Sequence, residues 1–437
     1  MYDLILEGAT VVSSQGRTRA DVAVEEGRIV YVGANPAGAA RTRVDATGRF
    51  LLPGLIDTHV HFRTPGHTHK EDFATGTRAA ASGGVTTVCD MPNTSPPTLT
   101  RSDWEEKRGL AEAEARVNVG IWVGASHGNF DAVRDLMESG DACGIKVFMG
   151  ASTGPLLVDP ATLERLFVGP PGLIGVHAED EEVLEPIRLA RRSEVAPPHD
   201  EVRPPIAATT ALRRLLALVA ATPRPVHVCH VSTADELALL DATARGLPIT
   251  TEACPHHLFL STATSTGNFA KVNPPIRCEA DRVAMLRALA EGRIDTLGSD
   301  HAPHTRAEKE RPYWEAPSGL PGVETIFSTV VAAVRRGEVS LERVVAAGCE
   351  APASIFGFAT KGHVAEGYDA DLVLLSEREL VRLTTADLLT KVGWSPFEGH
   401  LVAPRPDAVW VGGRLVARDG RIVDDDVRGR IVRPGRA

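Results

Sequence analysis

The sequence has little of what marks several large classes of function. Its six cysteines, at 89, 143, 229, 254, 278 and 349, show no CxxC spacing, which speaks against a zinc ribbon or a disulfide framework. Several lie in apolar runs, where a buried reduced thiol is expected. No apolar run approaches the roughly 20 residues that span a bilayer, and the acidic, Gly-containing N-terminus lacks the form of a signal peptide. The expected location is the cytoplasm. Positive charge is in deficit, with 47 Lys and Arg against 57 Asp and Glu for a net charge of −10. That is the wrong sign for non-specific nucleic-acid binding, although a few local cations still allow a small anionic ligand. No Gly-x-Gly-x-x-Gly or Walker loop is present to support a doubly wound nucleotide-binding sheet.

What is present is a long chain of ordinary globular composition, 437 residues with 43% hydrophobic and 24% charged, enough for one large barrel or two domains. The two ends resemble each other. Short Gly-punctuated strands run through Asp3–Gly8, Asp21–Val24 and Arg28–Gly33, and again through Asp371–Leu375 and Ala408–Val416. Neither end could bury a core alone, so the pattern predicts one small β-sandwich domain assembled from residues 1–52 and 359–437. Between them, apolar runs alternate with helical stretches such as Thr77–Ser82, Leu212–Ala221 and Arg282–Ala290. Eight strands are predicted, at 55–62, 86–92, 117–125, 144–150, 173–179, 224–232, 248–255 and 295–301. The fold class is therefore α/β, with a (β/α)8 TIM-type barrel over residues 53–358 and its site at the C-terminal ends of the strands.

Polar residues at those strand ends need a reason, because burying them unpaired is costly. In Asp57-Thr58-His59-Val60-His61-Phe62-Arg63, strand alternation puts His59 and His61 on one face, with Arg63 further out on the same side. Two such imidazoles suit a zinc-like ion, or are two ordinary surface histidines. Lys146 interrupts Gly144–Met149. It is either a snorkelling or salt-bridged lysine, or a buried amine that takes up CO₂ and bridges two metals as a carbamate. His177 and His230 end the fifth and sixth strands, and Asp300 the eighth, where an Asp either caps a loop or acts as ligand and proton carrier. His227 is expected on the opposite side from His230, packed against helices, and His256 and His257 in a supporting loop role. The small, polar segment 259–269 reads equally as a lid or a passive surface loop.

With those residues in view, the chain resembles the amidohydrolase superfamily and, more narrowly, the longer bacterial dihydroorotases. The similarity is carried by Asp57–Gly66, Met91-Pro92-Asn93-Thr94, Pro255-His256-His257-Leu258, Lys271–Arg277 and Ser299–His304, and extends to Gly393–Gly399. The resemblance implies that His59 and His61 hold a first zinc, that His177 and His230 hold a second, and that carboxylated Lys146 bridges the two. It makes Asp300 a ligand of the first zinc and the general acid/base for a hydroxide shared by the metals. It gives the substrate carboxylate to Arg63 and Asn93, with Asn273 and His304 completing that pocket. The activity implied is reversible hydrolysis of dihydroorotate to N-carbamoyl-L-aspartate, in a homo-oligomer associated with aspartate carbamoyltransferase. Many long-type members carry an aspartate at the position of Lys146, and the lysine is shared with allantoinases and hydantoinases. Allantoinase is accordingly one alternative. A non-catalytic scaffold is another, although such scaffolds have lost ligands and here all six positions are filled.

Overall fold

A ring of eight short strands holds the molecule together, described by a computed structural model over residues 1–151 and 156–435. The strands are β1 (Leu55–Val60), β2 (Val85–Asp90), β3 (Asn118–Ile121, carried on by Val123–Gly124), β4 (Ile145–Phe148), β5 (Ile174–His177), β6 (Val226–Val228), β7 (Ile249–Ala253) and β8 (Thr296–Leu297). Neighbours pair in parallel around the ring. A parallel bridge between Val60 and His301 closes it. All eight predicted strands are found, each shorter than its predicted window. The chain leaves the ladder early where a residue turns left-handed, as at His230 (φ +38°) and Asp300 (φ +46°).

Helices follow the strands and cover the ring from outside. The stretches predicted around 77–82, 212–221 and 282–290 lie within Phe73–Ser82, Pro205–Ala221 and Glu279–Glu291. Their starts are written in the sequence: Thr100 and Thr233 form capping boxes with Asp103 and Glu236, and Asp72 accepts from Thr75 N–H. In Pro205–Ala221 the buried residues Ala208, Ala211, Leu212, Leu215 and Val219 recur at helical spacing and pack toward the strands. The lower interior is filled by Ile56, Cys89, Trp122, Cys143, Leu173 and Phe356. Trp122 explains two glycines. A Cβ on Gly144 or Gly175 would lie 2.4 or 2.5 Å from its ring, so neither position accepts a side chain.

Both chain ends meet in one nine-stranded sheet. Leu372–Leu375 runs antiparallel to Phe50–Pro53, joining the C-terminal strands to the N-terminal ones. Leu4, Leu6, Val22, Val24, Leu372, Leu374 and Trp410 form its core. Two C-terminal segments return to the barrel. The amides of Leu389 and Thr390 donate to Glu324, and Trp394 Nε1 donates to His304 O at 2.8 Å. Residues 430–432 pair with Val119 on β3. All six cysteines are free and five are buried, Cys278 being the exposed one. Among the described residues, no helix is long and apolar enough to cross a membrane.

Candidate metal centre

Eight of the predicted site residues line one cavity: His59, His61, Arg63, Asn93, His177, His230, Asn273 and Asp300, with Val272 beside Asn273. Phe148, Ala302, Ser318 and Gly319 complete the wall. Lys146 and His304 stand just behind it, each with no exposed surface. The backbone is strained where these side chains must turn inward. Of six non-glycine residues with positive φ among the described residues, three are Arg63, His230 and Asp300. Such conformations cost on the order of 1–3 kcal/mol each and persist only where the surroundings enforce them.

The hydrogen bonds fix the tautomers of three imidazoles, and the result is a cluster of lone pairs. His59 Nδ1 lies 2.8 Å from Glu252 Oε1, and His61 Nδ1 2.6 Å from Asn93 Oδ1. Each Nδ1 therefore carries the proton, which leaves both Nε2 atoms bare. Both bare nitrogens point at Asp300 Oδ1, at 3.3 and 3.2 Å. Three acceptors facing one another repel unless a cation lies among them. On the other side His177 Nε2 is bound to Glu179 Oε2 at 3.0 Å, so its bare Nδ1 faces His230 Nε2 at 3.0 Å. A histidine whose far nitrogen is held by a carboxylate or carbonyl is the usual arrangement around a bound metal. His59, His61 and Asp300 also satisfy the distance requirement for one ion, their ligand atoms lying within 4.8 Å of one another.

The electrostatics keep these nitrogens available. Burial lowers the pKa of all four histidines, assisted by Lys146 at His59, by Arg63 at His61 and by His177 at His230. Neutral imidazole is the ligand form. Burial raises Asp300, against the pull of His59 and Lys146. Burial would also raise Glu252, but His59 and His227 hold it well below the carboxylate range. Arg63 is brought down to about 10 by burial and remains a cation. Lys146 is the odd member. It is fully buried, donates to Cys229 Sγ at 3.1 Å and, among the described residues, has no carboxylate partner.

One expectation fails here. His227 does not pack outward against the helices: it points into the barrel, 3.7 Å from Glu252 and edge-on to Phe356. Alternation holds only within a ladder, and β6 ends at Val228. The left-handed turn at His230 then brings both histidines to the interior. His256 and His257 are buried, His257 Nε2 donating to Pro274 O. Segment 259–269 does not reach the cavity wall. Two supporting carboxylates escape the sequence reading: Glu252 inside the apolar run of β7 and Glu179 two residues past His177. The rule that singled out Lys146, a charge in a buried strand, also singles out Glu252.

Comparison with known proteins agrees with this geometry. Residues 50–160 and 211–416 match the model of the amidohydrolase family. The dihydroorotase of Halobacterium salinarum is 40% identical over 423 residues, covering 94% of this chain and 98% of that protein. The allantoinase of Streptomyces avermitilis is 36% identical over 449 residues, covering 98% of each. The solved L-hydantoinase (dihydropyrimidinase) of Arthrobacter aurescens superposes with a TM-score of 0.93 at 30% identity, over 99% of this chain and 100% of that one. The chain belongs to the amidohydrolase family, alongside its dihydroorotases.

Proposed function

We propose that this protein is a dihydroorotase, closing N-carbamoyl-L-aspartate to dihydroorotate and hydrolysing the ring in reverse. The observation that carries the proposal is one cavity lined both by facing lone pairs and by the buried Arg63. The donor set of neutral imidazole and carboxylate suits zinc. His59, His61 and Asp300 would hold one ion, and His177 and His230 a second. Lys146 would bridge them as a carbamate, exchanging a buried cation that lacks a carboxylate partner for an anionic ligand. The metals, when bound, supply Lewis acidity and an acidified water.

The rest is the work of side chains. Asp300 takes the proton of the attacking water and delivers it to the leaving ring nitrogen, a role worth about 10²–10⁴ in rate. In ring closure it carries the proton the other way. Arg63 offers a planar, paired set of donors to the substrate carboxylate, with Asn93 beside it, and so holds the ring in the cavity. Phe148 and Val272 contribute apolar surface to the wall. Asn273, held through its Oδ1 by His199 Nε2 at 2.9 Å, completes the pocket, and His304 supports it from behind.

The allantoinase relatives make allantoin the competing substrate. Allantoin has no carboxylate, so a buried arginine in the cavity wall favours dihydroorotate. Purified protein assayed on both substrates decides the matter. Dihydroorotate is expected to turn over faster, and preference for allantoin would overturn the assignment. The intact cage also argues against a non-catalytic scaffold, and metal content well below one ion per chain after metal-replete purification would reverse that reading.

A further inference from the structure

We propose that Lys70 is a positioning residue. By fixing which nitrogen of His304 carries the proton, it keeps the Arg63 guanidinium free for an anionic substrate. The inference rests on the reading above, in which Arg63 receives a carboxylate.

His304 is buried with three polar groups in close contact, and Glu308 Oε2 stands farther off, 3.9 Å from its Nδ1 and beyond hydrogen-bond reach. Lys70 Nζ lies 3.1 Å from its Nδ1. Ser318 O lies 3.1 Å from its Nε2, and Arg63 Nη2 lies 3.2 Å from the same nitrogen. Lysine and arginine can only donate, and a carbonyl can only accept. A doubly protonated ring is disfavoured, because burial and the cations Arg63, Lys70 and Lys309 drive the pKa of His304 far down. Two neutral tautomers remain. With the proton on Nε2, the ring accepts from Lys70 and donates to Ser318 O, so two of the three contacts are hydrogen bonds. With the proton on Nδ1, only the Arg63 contact is satisfied, and an N–H is set against the Lys70 ammonium. The Nε2–H form therefore prevails while Lys70 is in place.

The consequence falls on Arg63. In the Nε2–H form His304 cannot accept from Nη2, so that arm of the guanidinium is not used by the histidine and stays available at the cavity. Arg63 is then held from its other side by Nε donating to Pro303 O at 3.3 Å. The opposite tautomer would capture Nη2 and release the Ser318 carbonyl, disturbing two parts of the cavity wall at once. Lys70 is itself fixed by Glu308, whose Oε1 is 3.0 Å away. Lys70 thus acts at one remove, through a ring that stands behind the pocket.

The test compares wild type with Lys70→Met and Lys70→Arg, all metal-replete. It measures steady-state kinetics on dihydroorotate and the nitrogen spectrum of ¹⁵N-histidine-labelled protein, with His304 assigned by the signal missing from His304→Gln. Lys70→Met is expected to raise KM at least ~10-fold while kcat stays within about 3-fold, as for a lost bond to a charged group that acts in binding. Its His304 signal should leave the Nε2–H pattern, metal content should be unchanged, and Lys70→Arg, which keeps a donor, should restore both readouts. Should Lys70→Met fail to fold, Glu308→Gln, which loosens Lys70, is expected to give the same changes in weaker form. Retention of the Nε2–H pattern without Lys70, or loss of kcat at constant KM, would overturn the proposal. Absence of dihydroorotate turnover in the wild type would instead count against the substrate assignment, and the spectrum would still decide the role of Lys70.

Discussion

The two halves of the metal cage are built differently. On one side, His59, His61 and Asp300 converge with their tautomers fixed by Glu252 and Asn93, so three standard side chains are ready as ligands. On the other, His177 is fixed by Glu179, while His230 Nδ1 has no hydrogen-bond partner among the described residues. The remaining member, Lys146, is a cation tied to a thiol. The first half is complete as translated. On the proposed reading the second becomes a ligand set only after Lys146 takes up CO₂, so its affinity should depend on dissolved CO₂ as well as on the protein.

Chelation gives the largest expected effect. Dialysis against a chelator should abolish turnover in two phases, with the ion of the Lys146 half leaving first. Metal per chain followed against activity would show this, and simultaneous loss of both ions would erase the distinction between the halves. Next in size, Asp300→Asn should lower kcat by about 10²–10⁴ with the melting temperature nearly unchanged. A decrease smaller than about 10-fold would remove Asp300 from proton transfer.

Paired substitutions behind the ligands sharpen the comparison further. Glu252→Gln should weaken the first ion and Glu179→Gln the second, each by about 10–100-fold. Titrations that show either change weakening both ions equally would mean that the two halves are not separable. The smallest effect lies outside the ligand set, where Arg63→Lys should raise KM for dihydroorotate by about 10-fold, through loss of the paired fork.

The same contrast separates what the sequence discloses from what it hides. Alternation along a strand is enough to pair His59 with His61, and a polar residue in or ending an apolar run is enough to mark Lys146 and His177, because all four sit in or directly beyond a ladder. It failed at His227, because the ladder stops at Val228 and a strained φ at His230 resets the direction of the chain. Strand lengths were overestimated for the same reason: apolar character continues into loops that are buried but no longer paired. Glu252 does carry a signal, a carboxylate in a buried strand, whereas Glu179 is one of several acidic residues after His177; the partners of both, His59 and His177, become visible only in three dimensions. The contacts around His304 come from segments near residues 63, 70 and 318, and no local pattern joins those.

The proposed two-metal centre depends most on Lys146. Protein reconstituted with metal and ¹³C-labelled bicarbonate should show one carbamate carbon signal per chain, together with two bound metals. In Lys146→Ala both the signal and the second metal should be lost while the fold survives. Two tightly bound metals and full turnover with no carbamate signal would contradict it.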